Sequence, residues 1–229
     1  MAGNKEVTLA ILGDGSVGKS SLTANFREHG FSAVYKQTVG CDFYEKKIQI
    51  RDSLVSLRIW DIGGQSIHSK NIQQYVSKSS VILLVYDVTN VESFHNLDDW
   101  MRLLKKYRSD GMASVYLVGN KVDMISQRTV RAKQQEAFIV ENSLRGGLFM
   151  SAKTGENVVR AFYQVAGEIL GTPLTEVELE PHDQVLKVII QAEADDGGRT
   201  AFADQIEEEM RQEEEAARRR AEACTCTIT

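Results

Sequence analysis

An eight-residue run near the amino terminus has the residue types and spacing of a phosphate-binding loop. It follows an apolar segment, precedes a helical pattern that includes Ser21, and reads Gly13-Asp14-Gly15-Ser16-Val17-Gly18-Lys19-Ser20. Its glycines allow the backbone to curl, so that consecutive N–H groups point at phosphate oxygens near the positive end of the following helix. We expect Lys19 to reach the β- and γ-phosphates and Ser20 to place its hydroxyl on Mg²⁺.

A second segment suited to chemistry follows another apolar run and reads Asp61-Ile62-Gly63-Gly64-Gln65. Asp61 is predicted to be an outer-sphere partner of the magnesium ion, and the N–H of Gly64 to approach the γ-phosphate. Gln65 carries an amide long enough to orient an attacking water. A glycine-rich turn after a strand is a weak signal alone, and its position after the phosphate loop makes it informative.

The segment Asn120-Lys121-Val122-Asp123 predicts which base the site binds. The Asp123 carboxylate can accept hydrogen bonds from N1–H and the N2 amine of guanine, whereas adenine would leave it unpaired. The predicted ligand is therefore GTP or GDP, with Mg²⁺, and not ATP. The other residues expected around the base are Lys121, with its stem over the purine, Ala152, with its N–H toward guanine O6, the neighbouring Ser151 and Lys153, and Phe31 on the opposite face.

These segments need secondary-structure elements that bring them to one place, and the hydrophobic pattern predicts such elements. Apolar runs predict strands near residues 6–12, 43–50, 54–60, 80–86, 114–119 and 147–150, and helical patterns predict five helices near 19–29, 67–77, 92–107, 131–142 and 156–170. Their alternation predicts an α/β fold with a doubly wound, mostly parallel six-stranded sheet, in which the second and third strands form an antiparallel hairpin. Ligands of such sheets bind beyond the carboxyl ends of the strands.

Charge and composition divide the 229-residue chain near residue 171. Gly171 and Pro173 stop the last helical pattern, and residues 172–229 carry 15 acidic and 6 basic side chains, against 17 and 21 before them. We therefore expect a domain over residues 1–171 and an acidic tail over 172–229. No basic stripe indicates nucleic-acid binding, no apolar run suits a membrane span, and no signal-peptide pattern begins the chain. We expect a monomeric, cytoplasmic protein.

The nucleotide segments together resemble the Ras superfamily of small GTPases over roughly residues 6–170. The resemblance implies a P-loop small GTPase fold and a switch cycle. It places Thr38 where the family closes a threonine over Mg²⁺ and the γ-phosphate, and Tyr35 where the family caps the nucleotide. Ser93-Phe94, Asn96-Leu97 and Trp100, preceded by Leu84-Val85-Tyr86-Asp87, resemble the Rab branch, which implies a role in vesicle traffic.

Two residues of the second switch depart from the pattern of that branch. Gly63 and Ser66 stand where typical Rab proteins have alanine and glutamate. With Trp60, this variant resembles the divergent Rab subfamily numbered twenty-eight, whose members have been linked to endosomal sorting and to cilia. The backbone freedom of Gly63 predicts a looser second switch. Recognition by the regulators of typical Rab proteins stays open.

The resemblance also implies the mechanism. Lys19 and Mg²⁺ neutralise developing charge, Thr38 and Gly64 close on the γ-phosphate, and Gln65 orients the water. Intrinsic hydrolysis is predicted to be slow. The alternative is a nucleotide-locked scaffold that binds GTP and hardly hydrolyses it, and a small-molecule kinase is disfavoured by the base-binding segment.

The implied partners are an exchange factor, a GTPase-activating protein and effectors, which would bind through residues 34–45 and 62–77. At the carboxyl end, Cys226-Thr227-Ile228-Thr229 fits a prenylation box, with Cys224 two residues upstream. Either one prenyl group plus palmitate or two prenyl groups suit this layout, and the type of isoprenoid stays open. The anchor implies the cytosolic face of endomembranes, with endosomes and the ciliary base as the implied locations.

Two stretches of the tail are open to two interpretations each. The apolar residues within 185–190 suit either docking of a prenylation escort or packing on the domain. The charged run 204–222 suits an exposed helix or a disordered segment.

Overall fold

The computed structural model of the chain describes residues 5–28, 37–69, 71–108, 112 and 114–183. Several residues singled out in the sequence lie outside these ranges, namely Phe31, Tyr35, Cys224 and Cys226, together with the apolar stretch 185–190 and the charged run 204–222. Their predicted roles therefore stay predictions.

A six-stranded sheet forms the centre of the domain, as the sequence predicted. Its strands are β1 Lys5–Leu12, β2 Cys41–Ile50, β3 Ser53–Ile62, β4 Val81–Asp87, β5 Val115–Asn120 and β6 Gly146–Met150, in the spatial order β2-β3-β1-β4-β5-β6. The β2–β3 pair is antiparallel and every other pair is parallel, with Leu9 of β1 opposite Ile59 of β3 and Val81 of β4. The predicted doubly wound sheet with one antiparallel edge is confirmed.

Helices cover both faces of this sheet. They are α1 Lys19–Glu28, α2 Ile72–Lys78, α3 Val91–His95, α4 Leu97–Tyr107, α5 Ala132–Asn142, α6 Val158–Ile169 and the short α7 Glu176–Leu179, with 3₁₀ turns at Gly64–His68, Ile125–Gln127 and Glu180–Asp183. The helix predicted over 92–107 is two helices that meet at Asn96. Because Asn96 keeps helical backbone angles, φ −67° and ψ −10°, the periodicity of side chains continues through the break.

Two apolar layers, one on each face of the sheet, hold these elements together. Leu9 and Ile11 of β1 pack with the layer that contains Phe26 of α1 and Phe162 of α6, whose rings stack with centroids 4.1 Å apart. Residues alternate sides along a strand, so Ala10 and Leu12 face the other layer, with Trp100 of α4. Both layers are fully buried, which fixes the carboxyl ends of the central strands relative to one another.

The folded chain continues beyond the predicted boundary at residue 171. Residues 172–183, here called the strap, contain α7 and the last 3₁₀ turn and lie within the same compact unit as the domain, which extends over 1–185. Leu179 of the strap is 2 % exposed, and the ring of His182 stacks on Tyr163 of α6 with centroids 3.7 Å apart. The first part of the predicted tail therefore packs on α6.

An ionic contact also attaches the strap to the β2–β3 turn. The Arg51 guanidinium donates to both carboxylate oxygens of Glu178, at 2.8 and 3.1 Å, and to the Pro173 carbonyl at 2.9 Å. A capping box begins α7, in which the Thr175 hydroxyl accepts from the Glu178 N–H while the Glu178 carboxylate accepts from the Thr175 N–H. These contacts hold Glu178 from two sides.

Candidate nucleotide-binding site

The loops that the sequence singled out meet at the carboxyl edge of the sheet. The phosphate loop follows β1, the segment 63–65 follows β3, the base segment begins at the end of β5, and residues 151–153 follow β6. Because these strands are parallel neighbours, their carboxyl ends lie side by side. The fold therefore brings the predicted site residues within the described ranges to one edge.

Two glycines give the phosphate loop its shape. Gly13 has φ +134°, and a Cβ there would lie 2.1 Å from the Val85 carbonyl oxygen of β4. Gly18 has φ +97°, and a Cβ there would lie 2.2 Å from the Asn120 side-chain nitrogen. Both positions combine a left-handed backbone with a close approach, so a side chain at either would displace the loop.

Lys19 is held within this loop by backbone carbonyls. Its ammonium donates to the carbonyl oxygens of Gly13 at 2.8 Å and Asp14 at 2.6 Å, and the residue is 6 % exposed. Burial lowers the pKa of Lys19 to about 8, against the opposing charges of Asp61 and Asp14. An ammonium group fixed in this way can donate a further hydrogen bond to an anionic ligand.

Three oxygen-bearing side chains beside Lys19 suit a magnesium ion. The hydroxyls of Ser20 and Thr38 lie 2.7 Å apart, although the two residues belong to different segments. Asp61 is fully buried, and neither carboxylate oxygen has a hydrogen-bond partner among the described residues. Burial raises the pKa of Asp61, while the neighbouring Ser20 hydroxyl and Lys19 charge oppose that rise. A buried carboxylate next to two hydroxyls is a set of hard oxygen ligands, which Mg²⁺ prefers.

The segment after β3 lies directly against the phosphate loop. A Cβ on Gly64 would lie 2.2 Å from the backbone nitrogen of Gly15 and 2.7 Å from the Asp14 carbonyl oxygen, so only glycine fits there. Gln65 follows with an exposed side chain at the start of the 3₁₀ turn. Gly64 is thus beside the phosphate loop, Gln65 lies at the adjoining surface, and the approach of the Gly64 N–H to the γ-phosphate stays a prediction.

Both residues that depart from the typical Rab pattern contact the segment around Thr38. Gly63 donates its N–H to the Gly40 carbonyl at 2.9 Å, and the Ser66 hydroxyl donates to the same carbonyl at 3.3 Å. A Cβ on Gly63 would lie 2.4 Å from the Thr38 carbonyl oxygen. The sequence predicted backbone freedom at Gly63. The structure adds that the lack of a side chain there allows the two switch segments to approach closely.

The base segment is fixed by hydrogen bonds between loops. The Asn120 amide donates to the Val17 carbonyl at 2.7 Å and accepts from the Ala152 N–H at 3.0 Å, so it joins the phosphate loop to the segment after β6. The Ala152 N–H, which was expected to donate to guanine O6, thus donates to the Asn120 side chain in this structure. Its contact with the base stays a prediction. The Ser151 hydroxyl donates to the Asp123 carboxylate at 2.6 Å.

Sequence reasoning missed the group that holds Lys121. The Lys121 ammonium pairs with the Asp87 carboxylate at 2.6 Å, and Asp87 also accepts from the N–H and the hydroxyl of Thr89. Asp87 ends the fully buried strand β4. One signal could have identified Asp87: it is a single carboxylate at the end of an apolar run, and that run forms the strand next to the one that carries the base segment.

An aromatic cluster lies beside the site on the outer strands and α2. Phe43 and Trp60 have ring centroids 4.6 Å apart, and Trp60 and Tyr75 have centroids 5.1 Å apart. Phe43 is 45 % exposed, and the nearby switch residue Val39 is 87 % exposed. These apolar side chains lie within the ranges 34–45 and 62–77, or border them.

No helix in the described part of the chain is long and apolar enough to cross a membrane.

Comparison with known proteins agrees with this geometry. The model of the Ras family matches residues 8–171. The Ras-related protein Rab-28 of Caenorhabditis elegans is 34 % identical over 207 residues, which are 88 % of this chain and 83 % of that protein. The Ras-related proteins Rab-13 of Rattus norvegicus and Bos taurus are 36 % and 35 % identical over 162 residues, which are 71 % of this chain and 79 % of each. The chain therefore belongs to the Ras family of small GTPases, within its Rab branch.

Proposed function

We propose that this chain is a Rab-type switch that binds GTP and GDP with Mg²⁺, hydrolyses GTP slowly and acts in vesicle or endosomal traffic. The observation that carries the proposal is the group formed by Ser20, Thr38 and Asp61 beside Lys19, in which the buried Asp61 carboxylate has no hydrogen-bond partner within the described part of the chain. A buried carboxylate without a partner is costly, and a bound cation would remove that cost.

The base segment supports guanine as the base. Ser151 orients the Asp123 carboxylate, and Asp87 holds the ammonium end of Lys121. A carboxylate at this position accepts the two donors of guanine, while adenine would bring an acceptor against it. A carboxylate that a bound adenine left without these two donors would cost roughly 1–3 kcal/mol.

For hydrolysis, the chain's own residues would hold the phosphate groups and the attacking water in position. Ser20, Thr38 and Asp61 would hold Mg²⁺, and the ion would supply positive charge that offsets the negative charge of the phosphate groups. Lys19, fixed by the Gly13 and Asp14 carbonyls, directs its remaining donor capacity at the ligand. Thr38 and Gly64 close over the γ-phosphate, and Gln65 orients the attacking water.

The loops at the site contain no arginine that would stabilise the transition state, since residues 13–20, 61–65, 120–123 and 151–153 have none. By comparison with Ras, intrinsic turnover should be on the order of 10⁻⁴ to 10⁻³ per second. A GTPase-activating protein is then the expected source of faster hydrolysis, and an exchange factor the expected means of GDP release.

Loss of the γ-phosphate would free the two switch segments, 34–45 and 62–77, and change the surface that they present. The exposed cluster around Phe43 and Trp60 is the apolar surface through which effectors would sense this change. Lipids on Cys226 and Cys224, attached with the help of an escort, would hold the switch on the cytosolic face of endomembranes, at endosomes or the ciliary base.

The first experiment is single-turnover hydrolysis of preloaded GTP by the wild type and by Gln65→Leu in matched magnesium buffer. We expect slow turnover in the wild type and a loss of at least about ten-fold in the variant, because leucine cannot orient a water. Gln127→Leu, an equally exposed glutamine outside the site, is the control and should hydrolyse like the wild type. Equal rates for all three proteins would contradict the role of Gln65.

The second candidate function is the nucleotide-locked scaffold. The observation that favours it is the hydrogen bond from the Gly63 N–H to the Gly40 carbonyl, which joins the two switch segments where Gly63 also lies close to Thr38. Bound GTP without turnover in either the wild type or Gln65→Leu would support this candidate instead.

A further inference from the structure

The side chain of Asp14 points away from the ligand-binding face of the phosphate loop and is held by the α3–α4 junction. One carboxylate oxygen accepts from the Asn96 amide at 2.7 Å, and the other accepts from the Trp100 indole N–H at 2.9 Å. Asn96 lies between α3 and α4, and Trp100 is in the first turn of α4. Both oxygens of a phosphate-loop carboxylate are thus engaged by residues more than 80 positions away.

The backbone of the same residue lies at the centre of the site. The Asp14 carbonyl accepts from the Lys19 ammonium at 2.6 Å, and Gly64 packs against that carbonyl. The Asp14 charge also raises the pKa of Lys19, in opposition to burial. A displacement of Asp14 would therefore move the cradle of Lys19 and the surface on which Gly64 closes.

We infer that Asn96 and Trp100 are positioning residues for nucleotide binding, because their hydrogen bonds to Asp14 hold the phosphate loop in its binding shape and slow nucleotide release. The inference rests on the proposed function, since it concerns the same site. In this inference, the α3–α4 junction slows GDP release by holding the phosphate loop through Asp14.

The surroundings separate this role from simple packing. The Trp100 ring is 1 % exposed and belongs to the apolar layer, so its removal would damage the core. Asn96 is exposed, and its side chain makes no capping bond to α4, so its contact with Asp14 can be removed with little effect on packing. Asn96 is therefore the position at which to test the inference.

The test is the release rate of a fluorescent GDP analogue from the full-length protein in excess unlabelled GDP and Mg²⁺. Asn96→Ala should speed release about ten-fold, as expected for loss of a hydrogen bond to a charged group. Asp14→Ala should speed it at least as much, and the double variant should be no faster than Asp14→Ala alone, because Asp14→Ala already removes the contact that Asn96→Ala breaks. Asn142→Ala, at an asparagine that ends α5, is the matched control and should release GDP like the wild type.

Asn96→Asp gives a sharper distinction from a structural role. Aspartate is as good as asparagine at the start of a helix, so a capping role predicts unchanged or higher thermal stability and unchanged release. The inference predicts release faster than in Asn96→Ala, because a second carboxylate would repel Asp14. Release rates of both Asn96 variants equal to the control would overturn the inference, as would fully additive effects in the double variant. Failure of the wild type to bind the GDP analogue would instead count against the proposed function.

Discussion

At the scale of single residues, the candidate site contains two charged groups that are buried. Asp61 is buried without a hydrogen-bond partner among the described residues, and Lys19 is buried among carbonyls. The sequence identified both because their motifs specify backbone geometry that few other folds require. It missed the pairing of Asp87 with Lys121 and of Asn96 and Trp100 with Asp14, since such contacts join residues 34 to 86 positions apart and depend on the packing of the elements.

Gly63 provides a prediction at this scale. In Gly63→Ala the new Cβ would lie 2.4 Å from the Thr38 carbonyl oxygen, so the backbone of one switch segment must move. Because Thr38 is expected to contact only the triphosphate form, we expect the ratio of GTP to GDP affinity to fall about five-fold or more, in line with overpacking costs of about 1–3 kcal/mol. Competition between the two nucleotides at equilibrium measures this ratio.

The matched control for that change is Gly146→Ala, where a Cβ would meet only the Tyr116 ring at 3.9 Å. It should leave the affinity ratio unchanged. An unchanged ratio in Gly63→Ala would show that the close approach to Thr38 has no part in nucleotide discrimination.

At the scale of elements, the sequence predicted the central strands well because β4 and β5 are buried along their whole length, as is the second half of β1, and these stretches are mostly apolar. Helix boundaries were less accurate. The predicted helix at 67–77 begins only at Ile72, because residues 64–68 form a 3₁₀ turn. The strap was not foreseen, since its one fully buried side chain, Leu179, gives no periodic pattern in so short a segment.

The clamp of the strap leads to a prediction about pH. The hydrogen bonds from Arg51 and then from Thr175 lower the pKa of the Glu178 carboxyl to about 2, against a reference of 4.5. A lowered carboxyl pKa stabilises the folded state above the unfolded value, so this contribution is complete above about pH 4.5 and disappears as the pH falls toward 2. Amide chemical shifts of residues 176–183 should therefore show a titration component with its midpoint near pH 2, and Glu178→Gln should abolish that component.

Glu92→Gln is the control for the clamp, because Glu92 is an exposed carboxylate at the start of α3. It should leave the titration of the strap amides in place. A Glu178-dependent titration of the strap amides centred near pH 4.5 in the wild type, while the domain stays folded, would show that Arg51 does not hold Glu178 in solution.

At the scale of the whole molecule, we expect ligand binding and folding to be coupled through Asp61. An ionised carboxylate that is buried without partners destabilises the domain when neither magnesium nor nucleotide is bound. A ligand that binds only the folded state stabilises it by an amount set by its concentration relative to its Kd. The Asp61 side chain should therefore lower the free energy of unfolding of the ligand-free protein and contribute to the increase in that free energy when a ligand binds.

Asp61→Asn tests this coupling because asparagine has the same shape without the charge. Without nucleotide, we expect its free energy of unfolding to exceed that of the wild type by about 1 kcal/mol, a typical cost of an unsatisfied buried group. The raised pKa of Asp61 means that the cost is present above that pKa and is relieved as the pH falls through it. The difference in stability between the wild type and the variant should therefore shrink in acid.

With Mg²⁺ and GDP, the order of stability of the wild type and Asp61→Asn should reverse, because the variant lacks the charge that would face the cation. Urea unfolding with and without ligand measures both differences, with exposed Asp52→Asn as the control. A variant less stable than the wild type under both conditions would show that Asp61 serves the fold and not the ligand.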